Sequence, residues 1–139
     1  MKALAPIVAV LAAAAALAAA ADASAATTLR LTERQAFQRY VDHGAKGESA
    51  GDVRVFGGPL FAASKQVGHD RIRCVVGSTC AVTLWLDGGT LVARRVVVRP
   101  PRFSAAISDG TGSYAGARGS ALIVLGPTSR YTIRLTLPR

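Results

Sequence analysis

The sequence predicts an all-β domain of seven or eight antiparallel strands in meander order, with turns spaced as they are in β-barrels. Apolar and polar residues alternate in the C-terminal part of the chain, where Tyr131, Ile133 and Leu135 share one face. Short turn signals separate such runs, for example at Gly77-Ser78 and at Gly126-Pro127. A glycine-rich connection between two apolar runs, residues 108–119, adds a third indication, since such a stretch makes a tight turn between strands.

The segment 32–41 is the ambiguous element, because Phe37, Tyr40 and Val41 stand at helical spacing and Thr32 begins a possible capping box. We interpret it as a strand, since the rest of the chain has a β pattern. In 91–98, apolar residues on both faces suggest burial on both sides. Residues 42–52 are predicted to form a loop. The predicted strands are 28–31 with 32–41, 53–56 with 60–62, 71–76, 80–86, 91–98, 103–108, 120–125 and 131–137.

The first 25 residues are predicted to be a secretory signal peptide. Lys2 precedes an alanine-rich apolar run, and Ala23-Ser24-Ala25 has the small residues of a cleavage site. The mature chain, residues 26–139, then forms a single β-barrel domain that is secreted. No second apolar stretch approaches the roughly 20 residues of a spanning helix, so no transmembrane segment is expected in it.

The chain carries a net charge of +9, and its basic residues are spread along the sequence. A nucleic-acid-binding protein would show a basic run or a helix with one basic face, and neither is present. Specific nucleic-acid binding is therefore not expected.

Two cysteines, Cys74 and Cys80, are predicted to form a disulfide, because the chain is directed to an oxidising compartment. A two-residue turn at Gly77-Ser78 would leave the cysteines on opposite faces of the hairpin. A three-residue loop, residues 76–78, places them directly opposite each other, and is the register that allows the bond.

Several strings that suggest chemistry lack the context that the chemistry needs. Residues 47–51 spell G-x-S-x-G, but a strand follows and no histidine comes late in the chain. Gly110-Thr111-Gly112 precedes a strand where a nucleotide loop would precede a helix. His43 and His69 are isolated and are interpreted as loop residues, so no metal or cofactor is expected.

Three motifs make the mature chain resemble the allene oxide cyclase barrel-like, or dirigent-like, family. The glycine-rich segment 109–119 is similar to the family's G-G-T-G-x-[YF]-x-x-A-R-G. Residues 51–60 are similar to the cyclases' G-D-x-x-x-F-x3-L. Val67-Gly68, followed by Cys74, stands where the family often has G-x-x-x-G-x-C before an apolar strand. The resemblance covers about residues 29–137.

The resemblance implies an eight-stranded antiparallel β-barrel with a lipocalin-like cavity, often assembled as a homotrimer. Cyclases of this family close an unstable fatty-acid epoxide into a cyclopentenone, and dirigents steer the coupling of phenolic radicals without redox chemistry of their own. In both, an apolar cavity holds a reactive intermediate in one conformation. For this chain, an outer face with Arg73, Thr83 and Trp85 is the predicted subunit contact.

Three functions are consistent with these observations. The first is binding of a small apolar or phenolic molecule in the cavity, with Asp42, Tyr114 and Arg118 as candidate ligand-binding residues. The second is an isomerase or cyclase acting on a reactive lipid or phenolic intermediate, which an open interior with converging Asp42 and Arg118 would favour. The third is a structural envelope protein whose barrel is filled by its own side chains. Tyr114 and Arg118 have an alternative role, which is to close the end of the barrel.

Overall fold

A computed structural model describes residues 25–138 of the chain. The predicted signal peptide lies outside the described residues, except for Ala25, which begins the first strand. Within residues 25–138 there is no helix long and apolar enough to span a membrane.

The fold is all-β, as predicted, and a single 3₁₀ turn at Gly112–Tyr114 interrupts the strands of the described part. The eleven strands are β1 Ala25–Arg34, β2 Phe37–Val41, β3 Val53–Gly57, β4 Pro59–Ala62, β5 Lys65–Val75, β6 Cys80–Leu86, β7 Gly89–Val96, β8 Arg102–Ile107, β9 Asp109–Gly110, β10 Arg118–Val124 and β11 Thr128–Leu137.

The strands form one antiparallel sheet that curls into a nearly closed barrel. Neighbours follow the order β8-β10-β11-β1-β4-β5-β6-β7-β9, and β3 pairs with β5 beside β4. The two edges meet where β9 pairs with β7 and the Ser108 amide donates to the Val92 carbonyl at 2.9 Å. Eleven strands are present because β3–β4 and β8–β9 are each one interrupted strand, and because β2 is an addition that pairs only with β3.

Strand polarity gives the barrel two distinct ends. The mouth end carries the N-terminus of β1, the connections 63–64 and 87–88, and the connection 108–117, which includes the short β9 and the 3₁₀ turn. The flap end carries β2 and the connections 42–52, 76–79, 97–101 and 125–127. Hydrogen bonds join neighbouring connections at the flap end: the Gly51 amide donates to the Val76 carbonyl at 3.0 Å, and Leu125 donates to Pro101 at 2.7 Å.

Alternation along each strand builds the core inside the barrel. On β11, Tyr131, Ile133 and Leu135 are buried, while Arg130 before them and Arg134 among them are exposed, as the sequence pattern predicts. The same alternation buries the inward residues of the other strands, including Leu31, Leu60, Ile72, Val82, Leu84, Leu91, Ala93, Phe103, Ala105, Ile107, Ala121 and Ile123.

The segment 32–41 is extended, so the interpretation as a strand is confirmed, with a break at Gln35-Ala36 between β1 and β2. Burial on both sides of the strand at 91–98 is wrong. The strand ends at Val96, and its outward Arg94 is exposed. Arg95 takes a positive φ of 57° where the β6–β7 ladder loses its regular register, which brings Val96 back to the interior.

The disulfide between Cys74 and Cys80 is present, and the two residues face each other in the β5–β6 ladder. The three-residue register is therefore confirmed. In the glycine-rich connection, Gly112 has a φ of +59°, and a Cβ atom there would overlap the Gly88 carbonyl oxygen of the neighbouring hairpin. Glycine is required at this position both for its backbone conformation and for this close approach.

Candidate functional site

An apolar cavity of about 150 Å³ opens at the mouth end of the barrel. Two polar side chains, Asp87 and Tyr114, stand at its edge on the 87–88 and 108–117 connections. The remaining walls come from Leu29, Leu31, Ala62, Val67 and Leu86. This is the mouth cavity, and its apolar walls with few polar groups are typical of small-molecule sites.

The centre of the barrel is filled. Only about 10 Å³ of space remains among Val82, Leu84, Leu91, Ile123 and their neighbours, which is at most enough for a single water molecule. The lipocalin-like cavity that the resemblance implies is therefore confined to the mouth end. A filled centre is also what the structural-protein alternative predicts.

Four polar side chains are buried inside the barrel and form what we call the polar cluster. Glu33 of β1, Asp70 of β5, and Ser129 and Tyr131 of β11 are each at most 4% exposed. The Tyr131 hydroxyl donates to Asp70 Oδ2, and the Gly58 amide donates to Asp70 Oδ1 at 2.9 Å. Two carboxyl groups and a phenol thus lie together in an otherwise apolar interior, where charged groups are costly.

Glu33 lies directly opposite Ser129 in the β1–β11 ladder. Its Oε1 atom is buried and has no hydrogen-bond partner among residues 25–138. Burial, followed in effect by the Asp70 charge and opposed by the Ser129 hydroxyl, raises the pKa of Glu33 from 4.5 to about 7. Glu33 can therefore both give and take a proton near neutral pH.

The other two acidic groups of the cluster are also altered by their surroundings. Burial raises the pKa of Asp70, while its hydrogen bonds from Tyr131 and Gly58 act in the opposite direction. Burial and the charge of Asp70 raise the pKa of Tyr131, so this phenol stays protonated and acts as a hydrogen-bond donor.

The polar cluster lies one layer of side chains below the mouth cavity. Leu31 lines the cavity and pairs with Tyr131, and Glu33 follows two residues further along β1, about 7 Å deeper. The same alternation that buries Leu29 and Leu31 points Glu33 inward, so its placement is readable from the sequence pattern. The inward placement of Asp70 is less evident from the sequence, because Asp70 follows His69 in a polar segment.

No family model matches this sequence, and no curated protein is significantly similar to it. Solved structures are similar. Pyocyanin demethylase has a TM-score of 0.69 and 29% sequence identity, over 79% of this chain and 100% of that chain. The pterocarpan synthase dirigent protein PsPTS1 has a TM-score of 0.60 and 19% identity, over 83% of this chain and 97% of that one. For the related GePTS1 the values are 0.59 and 16%, over 100% and 98%.

This chain has a dirigent-like barrel fold. The resemblance predicted from the motifs is thereby confirmed, together with the fold class. The two dirigent proteins share less than 20% sequence identity with this chain, so their similarity supports the fold and not a shared function.

The three predicted ligand-binding residues do not lie together in the dirigent-like barrel. Tyr114 lines the mouth cavity. Arg118 lies on the same end, where its guanidinium donates to the carbonyl oxygens of Ser108 at 3.2 Å and Ala117 at 2.9 Å. Asp42 lies in the flap-end loop and accepts a hydrogen bond from the Gly47 amide at 3.0 Å. Asp42 and Arg118 are at opposite ends and do not converge.

A second acidic residue, Asp52, fastens the flap-end loop of the dirigent-like barrel. Its carboxylate is fully buried and accepts hydrogen bonds from the Tyr40 hydroxyl and from the amides of His43 at 2.8 Å and Ser49 at 2.7 Å. The bond from Tyr40 is the largest cause that lowers the pKa of Asp52 to about 2, and it raises the pKa of Tyr40 to about 12. These bonds fasten both β2 and the 42–52 loop to Asp52, which indicates a structural role.

His69 is not a loop residue, contrary to the sequence interpretation. It belongs to β5 and stacks on Trp85 of β6, with ring centroids 4.9 Å apart and an interplanar angle of 13°. Across residues 25–138, no three His, Cys, Asp or Glu side chains are grouped closely enough to hold a metal ion.

Proposed function

We propose that this dirigent-like barrel binds a small apolar or phenolic molecule and holds one ring of it in the mouth cavity. The observation that carries the proposal is the volume of about 150 Å³ with almost entirely apolar walls. A protein cavity of about this size, lined by apolar side chains, takes up benzene. Tyr114 and Asp87 at the edge offer a hydroxyl and a carboxylate to a phenolic group.

The names of the similar structures support this class of ligand. Pyocyanin demethylase and the pterocarpan synthase dirigent proteins are each named for a small organic molecule. A ligand larger than one ring would extend out of the mouth, because the layer below the cavity is filled by Leu31 and Tyr131.

The second candidate function is an isomerase or cyclase that shifts a proton in a bound intermediate. Glu33 favours it, because a buried carboxyl with a pKa of about 7 and an oxygen without a hydrogen-bond partner in the described chain is suited to general acid–base chemistry. In this mechanism Glu33 exchanges the proton, and Tyr131 stabilises negative charge on Asp70 beside it. The reacting group must reach below Leu31, so the ligand must displace side chains that fill this layer.

We further propose that the mature chain is secreted, which the disulfide supports, since such bonds persist in oxidising compartments. Assembly as a homotrimer through the face of Arg73, Thr83 and Trp85 remains a prediction from the resemblance. Sedimentation at micromolar concentration tests it, and a single species of about 12 kDa, the mass of about 114 residues, would contradict it.

Binding to the mouth cavity is tested with a matched pair of variants. Val67 lines the cavity, whereas Val92 on β7 points outward, and both side chains are half-buried. Val67→Phe fills the cavity and should weaken binding of the neutral fluorophore N-phenyl-1-naphthylamine at least tenfold, while Val92→Phe should leave the affinity unchanged. Equal affinities for the two variants, or no saturable binding by the unaltered protein, would contradict the proposal and favour a structural role.

Glu33→Gln separates binding from catalysis. The amide has nearly the shape of the carboxyl group and cannot exchange its proton in this way. If the chain is an isomerase, this variant should retain binding of the fluorophore and lose turnover of any substrate found by screening. Unchanged turnover would remove Glu33 from the mechanism and leave the binding proposal intact.

A further inference from the structure

A groove of about 490 Å³ lies on the outside of the barrel, away from the mouth cavity. It runs across the outer face from β2 over β3 to β5. The groove is lined by Phe37, Gln38, Arg39, Val55, Arg71 and Arg73, and we call it the arginine groove.

Ladder register brings the three arginines to one side of the sheet. Arg39 pairs with Val55, and Val55 pairs with Arg73, so the two arginines are two strands apart, about 10 Å. Arg71 precedes Arg73 by two residues on the same face, about 7 Å along β5. Their long side chains can therefore meet over one bound group.

These guanidinium groups have no carboxylate partner in the described part of the chain. The ion pair found within residues 25–138 joins Arg54 to Glu48, and none of the three groove arginines makes a side-chain hydrogen bond there. No acidic residue lines the groove. Three like charges around one concavity repel each other, and an anion placed between them relieves that repulsion.

Arg71 is held in place from behind. Its guanidinium lies over the ring of Trp85, 5.4 Å from the centroid, and the ring is also stacked with His69. The guanidinium N–H groups of Arg71 donate no hydrogen bond to another side chain or to the backbone within residues 25–138, so they are available to an anion. Because the contact with Trp85 already restricts the Arg71 side chain, binding of an anion would cost less conformational entropy.

The groove also has an apolar part, because Phe37 is 42% exposed and Val55 lies beside it. From this combination we propose that the arginine groove binds a soluble amphiphilic anion, in which a carboxylate, sulfonate or phosphate group is attached to an aromatic or aliphatic body. The acidic group lies among the three guanidinium groups, and the apolar body packs on Phe37. The proposal does not depend on the mouth cavity.

The probe for the test is 8-anilinonaphthalene-1-sulfonate, with the uncharged N-phenyl-1-naphthylamine as its matched control. Fluorescence titration at low and at high salt gives the affinity and the stoichiometry. Arg39→Gln and Arg73→Gln should each weaken binding of the sulfonate at least fivefold. Arg134→Gln, an outward and exposed arginine on β11, should leave it unchanged. Added salt should weaken the sulfonate complex and not the neutral one.

Several outcomes would overturn the proposal. An equal loss in Arg134→Gln, or no loss in the groove variants, would show attraction to the overall charge of the protein. Loss of sulfonate binding in Val67→Phe would place the probe in the mouth cavity. Attachment to phosphatidylglycerol vesicles without binding of dissolved probe would indicate a membrane surface as the partner. The predicted subunit contact uses Arg73 of the same face, so a trimer that fails to bind the sulfonate would also overturn the proposal.

Discussion

Glu33→Gln is expected to stabilise the barrel above neutral pH and to change its stability little in acid. In the folded protein the pKa of Glu33 is raised to about 7 from the ordinary 4.5, mainly by burial. The folded state therefore holds this proton more tightly than the unfolded state does. Its contribution to stability is fully present below about pH 4.5 and is lost as pH rises through about 7.

The size of the effect follows from the two pKa values. A rise from 4.5 to about 7 corresponds to about 3 kcal/mol of unfolding free energy, lost between acid and mildly alkaline solution. Glutamine carries no charge at any pH, so the variant escapes this loss. At pH 8 to 9 it should be more stable than the unaltered protein by about 2–3 kcal/mol.

The assay is urea unfolding at pH 4, 6 and 8.5, followed by the fluorescence of Trp85, the single tryptophan. Glu48→Gln is the control, since the side chain of Glu48 is 58% exposed, and it should follow the unaltered protein within about 0.5 kcal/mol. Asp70 is present in all three proteins, and because its charge helps to raise the pKa of Glu33, part of the stability difference at pH 8.5 comes from the repulsion between these two carboxylates. A stability difference that stays constant with pH, or a variant that is less stable at pH 8.5, would refute the reasoning.

Two further predictions concern the fold. Gly112→Val should lower the unfolding free energy by about 1–3 kcal/mol, because the position has a positive φ and touches Gly88, whereas Gly126→Val should cost less, since Gly126 has neither constraint; equal melting temperatures for the two variants would contradict this. Without reductant, Cys74 and Cys80 should not react with a thiol reagent, and one labelled thiol per chain would contradict the disulfide. Reduction should lower the unfolding free energy by about 2 kcal/mol, because the bond closes a short loop and so restricts the unfolded chain.

The sequence pattern was sufficient for the fold because the long strands of the barrel each bury one face. Alternation in the segment around Tyr131 and Ile133 gives the inward residues directly, and the spacing of Cys74 and Cys80 selects the hairpin register. Turn signals then give the meander order, from which the barrel follows.

The candidate site was less accessible to sequence analysis, because it forms only when distant strands are in register. Glu33, Asp70 and Tyr131 come from β1, β5 and β11. Alternation along a strand can place each of them on an inward face, but it does not show that the three meet. Asp42 and Arg118 were expected to converge. They lie at opposite ends because strand direction, which alternates along a meander, sends their connections to different ends of the barrel.

β2 pairs with a neighbouring strand on one side only, so it is expected to open locally before the rest of the barrel unfolds. Its residues bond to β3 alone and are exposed along their whole length, so Phe37–Val41 should exchange amide hydrogens well before the barrel strands do. The Tyr40–Asp52 bond fastens this segment. β2 supplies Phe37 and Arg39 to the arginine groove, and β5 supplies Arg71 and Arg73. A ligand bound in the groove would therefore link β2, whose amides exchange quickly, to β5, whose amides exchange slowly. Slower hydrogen exchange of the β2 amides, with unchanged exchange in the rest of the barrel, would then show that a ligand occupies the arginine groove.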